Sequence, residues 1–287
     1  MEKIKIIQMQ QYFPESYKTF IYLSDLQNII RESVEDTIIL DFRETKYVHA
    51  MFTAFIGALC IWAKCYGKHV VYSMKTETKL WKYIRDSGLY DYVKNQDYSF
   101  ENPNSIPFKE IQMDDESIIE YTNSILEHTP VKLTPVADEA LFKNIYELFN
   151  NALVHSNAQA GIYGCGHWLP NKRELVFSVY DTGIGIPTSI RNKLQTDLAS
   201  KQAIEWAFSP INSTMQLVNN IPRGVRLASF LKFIQSNKGY LSIVSNDICY
   251  IYNNSVKYHY LEHPMEGTII SFIIRSDSEH IYDIKSN

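Results

Sequence analysis

With 287 residues, 45% of them hydrophobic and 13% aromatic, the chain can bury a sizeable core and has length for two domains. A net charge of -4 gives no electrostatic reason to propose nucleic acid as a partner. Cys60, Cys65, Cys165 and Cys249 show no metal-ligand spacing and read as reduced, buried thiols. The longest apolar run, residues 50–63, is too short to span a bilayer, and Met1-Glu2-Lys3-Ile4-Lys5 lacks the design of a signal peptide, so the expectation is a cytoplasmic protein with no membrane partner.

In chain order, residues 37–42 read as a buried strand, 52–66 as an amphipathic helix, 69–73 as a second strand and 80–89 as a second helix. Alternating β and α elements imply a parallel or mixed sheet with helices packed on it. Ile38-Ile39-Leu40-Asp41-Phe42-Arg43-Glu44-Thr45-Lys46-Tyr47-Val48, then helix, strand and Asp86-Ser87-Gly88-Leu89, is similar to STAS domains, the fold of anti-sigma-factor antagonists, over residues 1–95. The serine that this family phosphorylates is replaced by Ala50, with Met51 beside it and Thr53 as the nearest substitute acceptor. The resemblance implies a docking or scaffold unit.

Residues 95–107 are polar and interrupted by prolines, as expected of a linker, and 116–127 read as a helix, so that 96–132 is expected to join two domains. Further on, Glu147, Asn151 and His155 recur at i, i+4 and i+8 and share one helix face, beside an apolar face of Ile145, Leu148, Ala152 and Leu153. Asn151 offers a carboxamide oxygen to a hard cation such as Mg²⁺, and Glu147 suits a general base. The apolar run 175–180 leads into Asp181-Thr182-Gly183-Ile184-Gly185, where a carboxylate that can accept from an exocyclic amine precedes glycines that admit close backbone approach. Taken alone, that string also describes an ordinary turn. Then Arg223-Gly224-Val225-Arg226-Leu227 opens an apolar-periodic helix whose free N–H groups favour a phosphate, and Glu266-Gly267-Thr268 opens the strand at 269–274.

In this order the four motifs resemble the GHKL superfamily of Bergerat-fold ATPases, over about residues 133–275. The resemblance implies an N box at Glu147, Asn151 and His155, glycine boxes at Asp181-x-Gly183-x-Gly185 and at Gly224, and a closing Gly267-Thr268. By it Asp181 binds the adenine amine with support from Thr268, Asn151 holds Mg²⁺, and Gly183, Gly185 and Gly224 line the nucleotide. Residues 188–222 then form an ATP lid. The family's second glycine in the later box is replaced by Arg226, either a clamp on phosphate or an obstruction to it. Arg191, Lys193 and Lys201 in the lid read as plain solvated surface.

The expected architecture is therefore α/β (α+β): a STAS-like mixed sheet over 1–95, then, over 133–278, a Bergerat-type sandwich with a mixed sheet covered by helices on one face. The expected function is an Mg-ATP-dependent regulator, ATPase or serine-kinase-like, acting through an unidentified protein partner, with a homodimer left open. A non-catalytic nucleotide-gated module is the alternative, as is a histidine-kinase-type catalytic subunit, for which His128 is the only upstream acceptor.

Overall fold

The structure, a computed structural model, describes residues 3–94, 96, 102–112, 114–127, 134–209 and 226–276. His128 and Gly224 lie outside the described residues, as does the side chain of Arg226. The fold is mixed α/β with both parallel and antiparallel sheets.

In the N-terminal part, β1 (Ile4–Gln8), β3 (Thr37–Asp41) and β5 (His69–Ser73) form a parallel sheet in the order β1-β3-β5. β2 (Tyr12–Phe13) and β4 (Tyr47–Val48) add a short parallel pair. Helix α1 (Tyr17–Glu32) starts at Ser16, whose hydroxyl accepts from the Lys18 N–H at 3.3 Å, and buries Phe20, Leu23, Leu26, Gln27 and Ile30 along one face. Helix α2 (Thr53–Trp62) is buried nearly all round, a correction to the amphipathic helix expected from its sequence. It is enclosed because it lies between the parallel sheet and the strands of the second one. Thr53 is buried with its hydroxyl 2.7 Å from that of Tyr83, so it is not an accessible phosphate acceptor. α3 (Lys79–Asp86) and α4 (Leu89–Lys94) follow.

The second sheet has five strands in the order β6-β7-β8-β10-β9: β6 (Ser105–Glu110), β7 (Ile162–Leu169), β8 (Glu174–Asp181), β9 (Tyr240–Asn253) and β10 (Ser255–Arg275). Every pairing in it is antiparallel and every pairing in the first sheet is parallel, so each is uniform where a mixed sheet was expected. β6 falls inside the stretch read as linker. Its one proline, Pro107, did not prevent an edge strand, where a missing N–H costs little.

One face of this sheet carries Phe177, Val179, Ile243, Ile270 and Phe272 against α5 (Asp115–Glu127), α6 (Pro135–His155) and α9 (Arg226–Ser236). The opposite face, with Val176, Tyr180, Val244, Ile269 and Ile273, packs against α1, α2 and the rest of the N-terminal core. The expected helix-covered face is present, and the N-terminal part covers the other. Burial on both faces explains why β8 and residues 269–274 of β10 read as largely apolar runs, although antiparallel strands usually alternate. Of the cysteines, Cys60, Cys165 and Cys249 are buried and Cys65 is exposed; all are free.

Candidate functional site

Asp181 is the last residue of β8 and is only 6% exposed. The Gly183 N–H donates to its Oδ1 at 2.9 Å, and Thr268 sits opposite it in the β8–β10 register. Burial pushes the carboxyl from its ordinary 3.8 up to about 7, and the hydrogen bonds from Gly183 and Thr268 only partly offset that. Among the described residues no cation pairs with it.

The glycine loop after Asp181 is fixed on three sides. The Ser156 carbonyl, just beyond α6, accepts from the Ile184 N–H at 2.7 Å, and a Cβ on Gly183 would stand 2.0 Å from that same oxygen, so a side chain there is excluded. Thr182 accepts from the Ala160 N–H at 2.9 Å and donates to the Gly161 carbonyl at 3.0 Å. From β9, Ser245 Oγ accepts from the Ile186 N–H at 2.8 Å and lies 2.9 Å from the Thr268 hydroxyl. Asn246 accepts from the Thr188 N–H at 3.2 Å and donates to the Ile184 carbonyl at 3.0 Å. Gly185 caps α7 (Ile186–Leu194), so two of the free N–H groups at the start of this helix are already taken by Ser245 and Asn246.

Between α6, α7 and the sheet lies a cavity of about 150 Å³, lined by Asn151, His155, Asp181, Gly185, Lys193 and Thr268 among others. That is smaller than the roughly 300–1,000 Å³ of typical ligand pockets, and suits a flat heterocycle better than a whole nucleotide. Val179, Ile186, Ile190, Leu227 and Ile270 give it apolar walls. Thus Asn151, His155, Asp181, Gly185 and Thr268, which the sequence nominated from three separate segments, come together at one site. Gly183 supports it from beneath. Glu147 is 3% exposed and does not line the cavity, although it shares a helix with Asn151 and His155.

Other expectations are altered. Gly267-Thr268 does not open a strand; β10 begins at Ser255, and these residues sit at a register irregularity within it. Residues 188–209 of the expected lid include the rest of α7 and α8 (Ser200–Ala207), while 210–225 lie outside the described residues. Arg191 is bound to the Leu198 carbonyl and the Ser200 hydroxyl, both at 2.7 Å, and Lys201 to Glu205, but Lys193 reaches the cavity. Among the described residues no group of three or more His, Cys, Asp or Glu is arranged to hold a metal.

Sequence reasoning missed Ser245, Asn246 and Thr182. Their signal was faint: Ser245-Asn246-Asp247 interrupts an apolar strand with consecutive polar residues, a pattern that fits a bulge or a site. A larger cavity of about 630 Å³ lies in the N-terminal part, lined by Ile56, Leu80, Trp81, Ile84 and Tyr90 among others, and holds none of the residues of the four nucleotide motifs. No helix among the described residues is long and apolar enough to cross a membrane. No protein-family model matches this chain, and no curated protein is significantly similar to it.

Proposed function

We propose that this chain is an Mg-ATP-dependent regulator of the GHKL superfamily, with a STAS-like N-terminal unit, acting in the cytoplasm through a protein partner. The observation that carries this reading is Asp181, a carboxylate buried with no cation paired to it among the described residues, at the wall of an apolar cavity, with the Thr268 and Ser245 hydroxyls behind it. A buried acceptor in such a place suits a ligand amine flanked by a flat apolar ring. Asn151, His155 and Lys193, on the same cavity, supply a carboxamide oxygen, an imidazole and an ammonium suited to the phosphate end. Mg²⁺ bound through Asn151 and phosphate oxygens would neutralise phosphate charge, which accords with the few protein ligands this ion usually takes.

Calorimetric titration with Mg-ATP tests the reading. Wild type binds, and Asp181→Asn loses about 1–3 kcal/mol because a carboxamide presents the wrong partner to the amine. Absent binding by wild type, or equal binding by the variant, rejects it.

The burial of Glu147 away from the cavity favours a second reading, a nucleotide-gated binding module without catalysis. If Glu147 is a general base, Glu147→Gln keeps affinity while phosphate release or transfer falls about 10²–10⁴-fold. Equal turnover favours the module.

A further inference from the structure

Within β10, Glu266 and Gly267 have no partner in either ladder register: Met265 pairs with Asn246, and the next pairings start at Thr268, with Ser245 on one side and Asp181 on the other. Extra residues of this kind re-aim the strand and leave backbone groups to be satisfied elsewhere. Here a single side chain takes both groups of Glu266. Gln27 of α1, 1% exposed, accepts from the Glu266 N–H at 2.8 Å and donates to the Glu266 carbonyl at 3.2 Å. Its amide also donates to the Tyr180 hydroxyl at 3.0 Å, and that hydroxyl donates to the same carbonyl at 3.0 Å.

Gly267 transmits the constraint. Its φ is +87°, and a Cβ there would stand 1.9 Å from the Asp181 carbonyl oxygen, so the bulge is pressed directly onto the residue that ends β8. Around it, Tyr66 donates to the Glu266 carboxylate, Arg31 approaches that carboxylate at 4.0 Å, and His263 meets Asp25 of α1 at 2.8 Å. The bulge beside the cavity is therefore held from the N-terminal part.

We propose that Gln27 is a positioning residue for the candidate site: by clamping the Glu266 backbone it sets Thr268 against Asp181, so that the N-terminal part braces one wall of the nucleotide pocket from behind and controls its affinity. The nucleotide part of this inference rests on the ATP reading above; the clamp itself does not.

The test uses the full chain as wild type, Gln27→Met, which keeps the side-chain length without hydrogen bonds, and Gln27→Glu, which keeps an acceptor for the Glu266 N–H and loses the donors. Circular dichroism first checks that each variant is folded. Calorimetry with Mg-ATP and with adenosine then reads the pocket. Gln27→Met weakens both ligands by a similar factor, about tenfold, because the wall meets the base end common to both, and Gln27→Glu falls between it and wild type. Hydrogen–deuterium exchange without any ligand reads the clamp: exchange at 266–268 accelerates about tenfold or more in Gln27→Met, while 270–274 stays as in wild type. A folded Gln27→Met with unchanged affinity for both ligands overturns control of the pocket, and unchanged exchange at 266–268 overturns the clamp. If wild type binds neither ligand, the ATP reading fails and control of affinity fails with it, whereas the exchange result still decides the clamp.

Discussion

Among the described residues two aspartates end strands, and their surroundings drive them in opposite directions. Asp41 ends β3, is 2% exposed, and is gripped by its near neighbour Arg43 through Oδ1 at 2.9 Å and Oδ2 at 2.6 Å. The guanidinium hydrogen bonds hold its carboxyl down at about 2, near the surface where Arg43 is itself 58% exposed. Asp181 ends β8 in the interior with backbone and hydroxyl partners but no cation among the described residues, and burial holds it up at about 7. The same residue type at the same kind of position is thus a satisfied structural ion in one sheet and an unneutralised acid in the other. A buried acid left without its counter-ion is what a ligand donor would complete, so the contrast separates scaffold from site without appeal to motifs.

The largest expected effect breaks the contrast at Asp181. Its folded-state value exceeds the unfolded 3.8, so the native state binds the extra proton between about pH 4 and pH 7, and stability falls as pH rises through that window before levelling. Raising the carboxyl from 3.8 to about 7 is worth at most about 4 kcal/mol. Denaturant unfolding of wild type and Asp181→Asn from pH 4 to 8 should therefore show the variant gaining on wild type as pH rises. Parallel curves would mean that Asp181 titrates like an exposed carboxyl.

A smaller effect sharpens the functional side. The amine of adenosine donates to the ionised carboxylate, so adenosine affinity of wild type should rise about tenfold from pH 6 to pH 8 and level above that, while Asp181→Asn stays flat. Calorimetry at fixed ionic strength checks this. A flat wild-type profile would uncouple Asp181 from the base.

The smallest effect breaks the contrast at the other end. Asp41 is depressed below 3.8, so it contributes stability that is present above about pH 4 and is lost as pH falls towards 2. Arg43→Met should flatten that acid limb and lower stability near neutrality only slightly, because the arginine is largely in water. Acid unfolding monitored by tryptophan fluorescence reads both changes.

Much of the arrangement was legible from local rules. The apolar runs of β3, β5 and β8 marked strands, and the i, i+4, i+8 spacing brought Asn151 and His155 to one rim of the cavity. The same spacing did not settle Glu147, since a helix face that passes from core to solvent buries one end of a polar stripe and exposes the other. β6 was hidden because an edge strand pairs on one side only and tolerates the polar and proline content that marks a linker. The enclosure of α2 was hidden because a short apolar helix looks much the same whether one face is covered or all are.

The sequence by itself determined several elements of a mixed α/β chain and five of the residues that meet at the cavity, since side-chain periodicity and glycine sterics act over a few residues and leave their pattern in the chain. Only the tertiary structure decided that both sheets share one packed core, that Ser245 and Asn246 hold the glycine loop, and that Gln27 reaches Glu266 across 239 positions. Those contacts depend on which surfaces of distant elements are pressed together. Packing of that kind has no period along the chain.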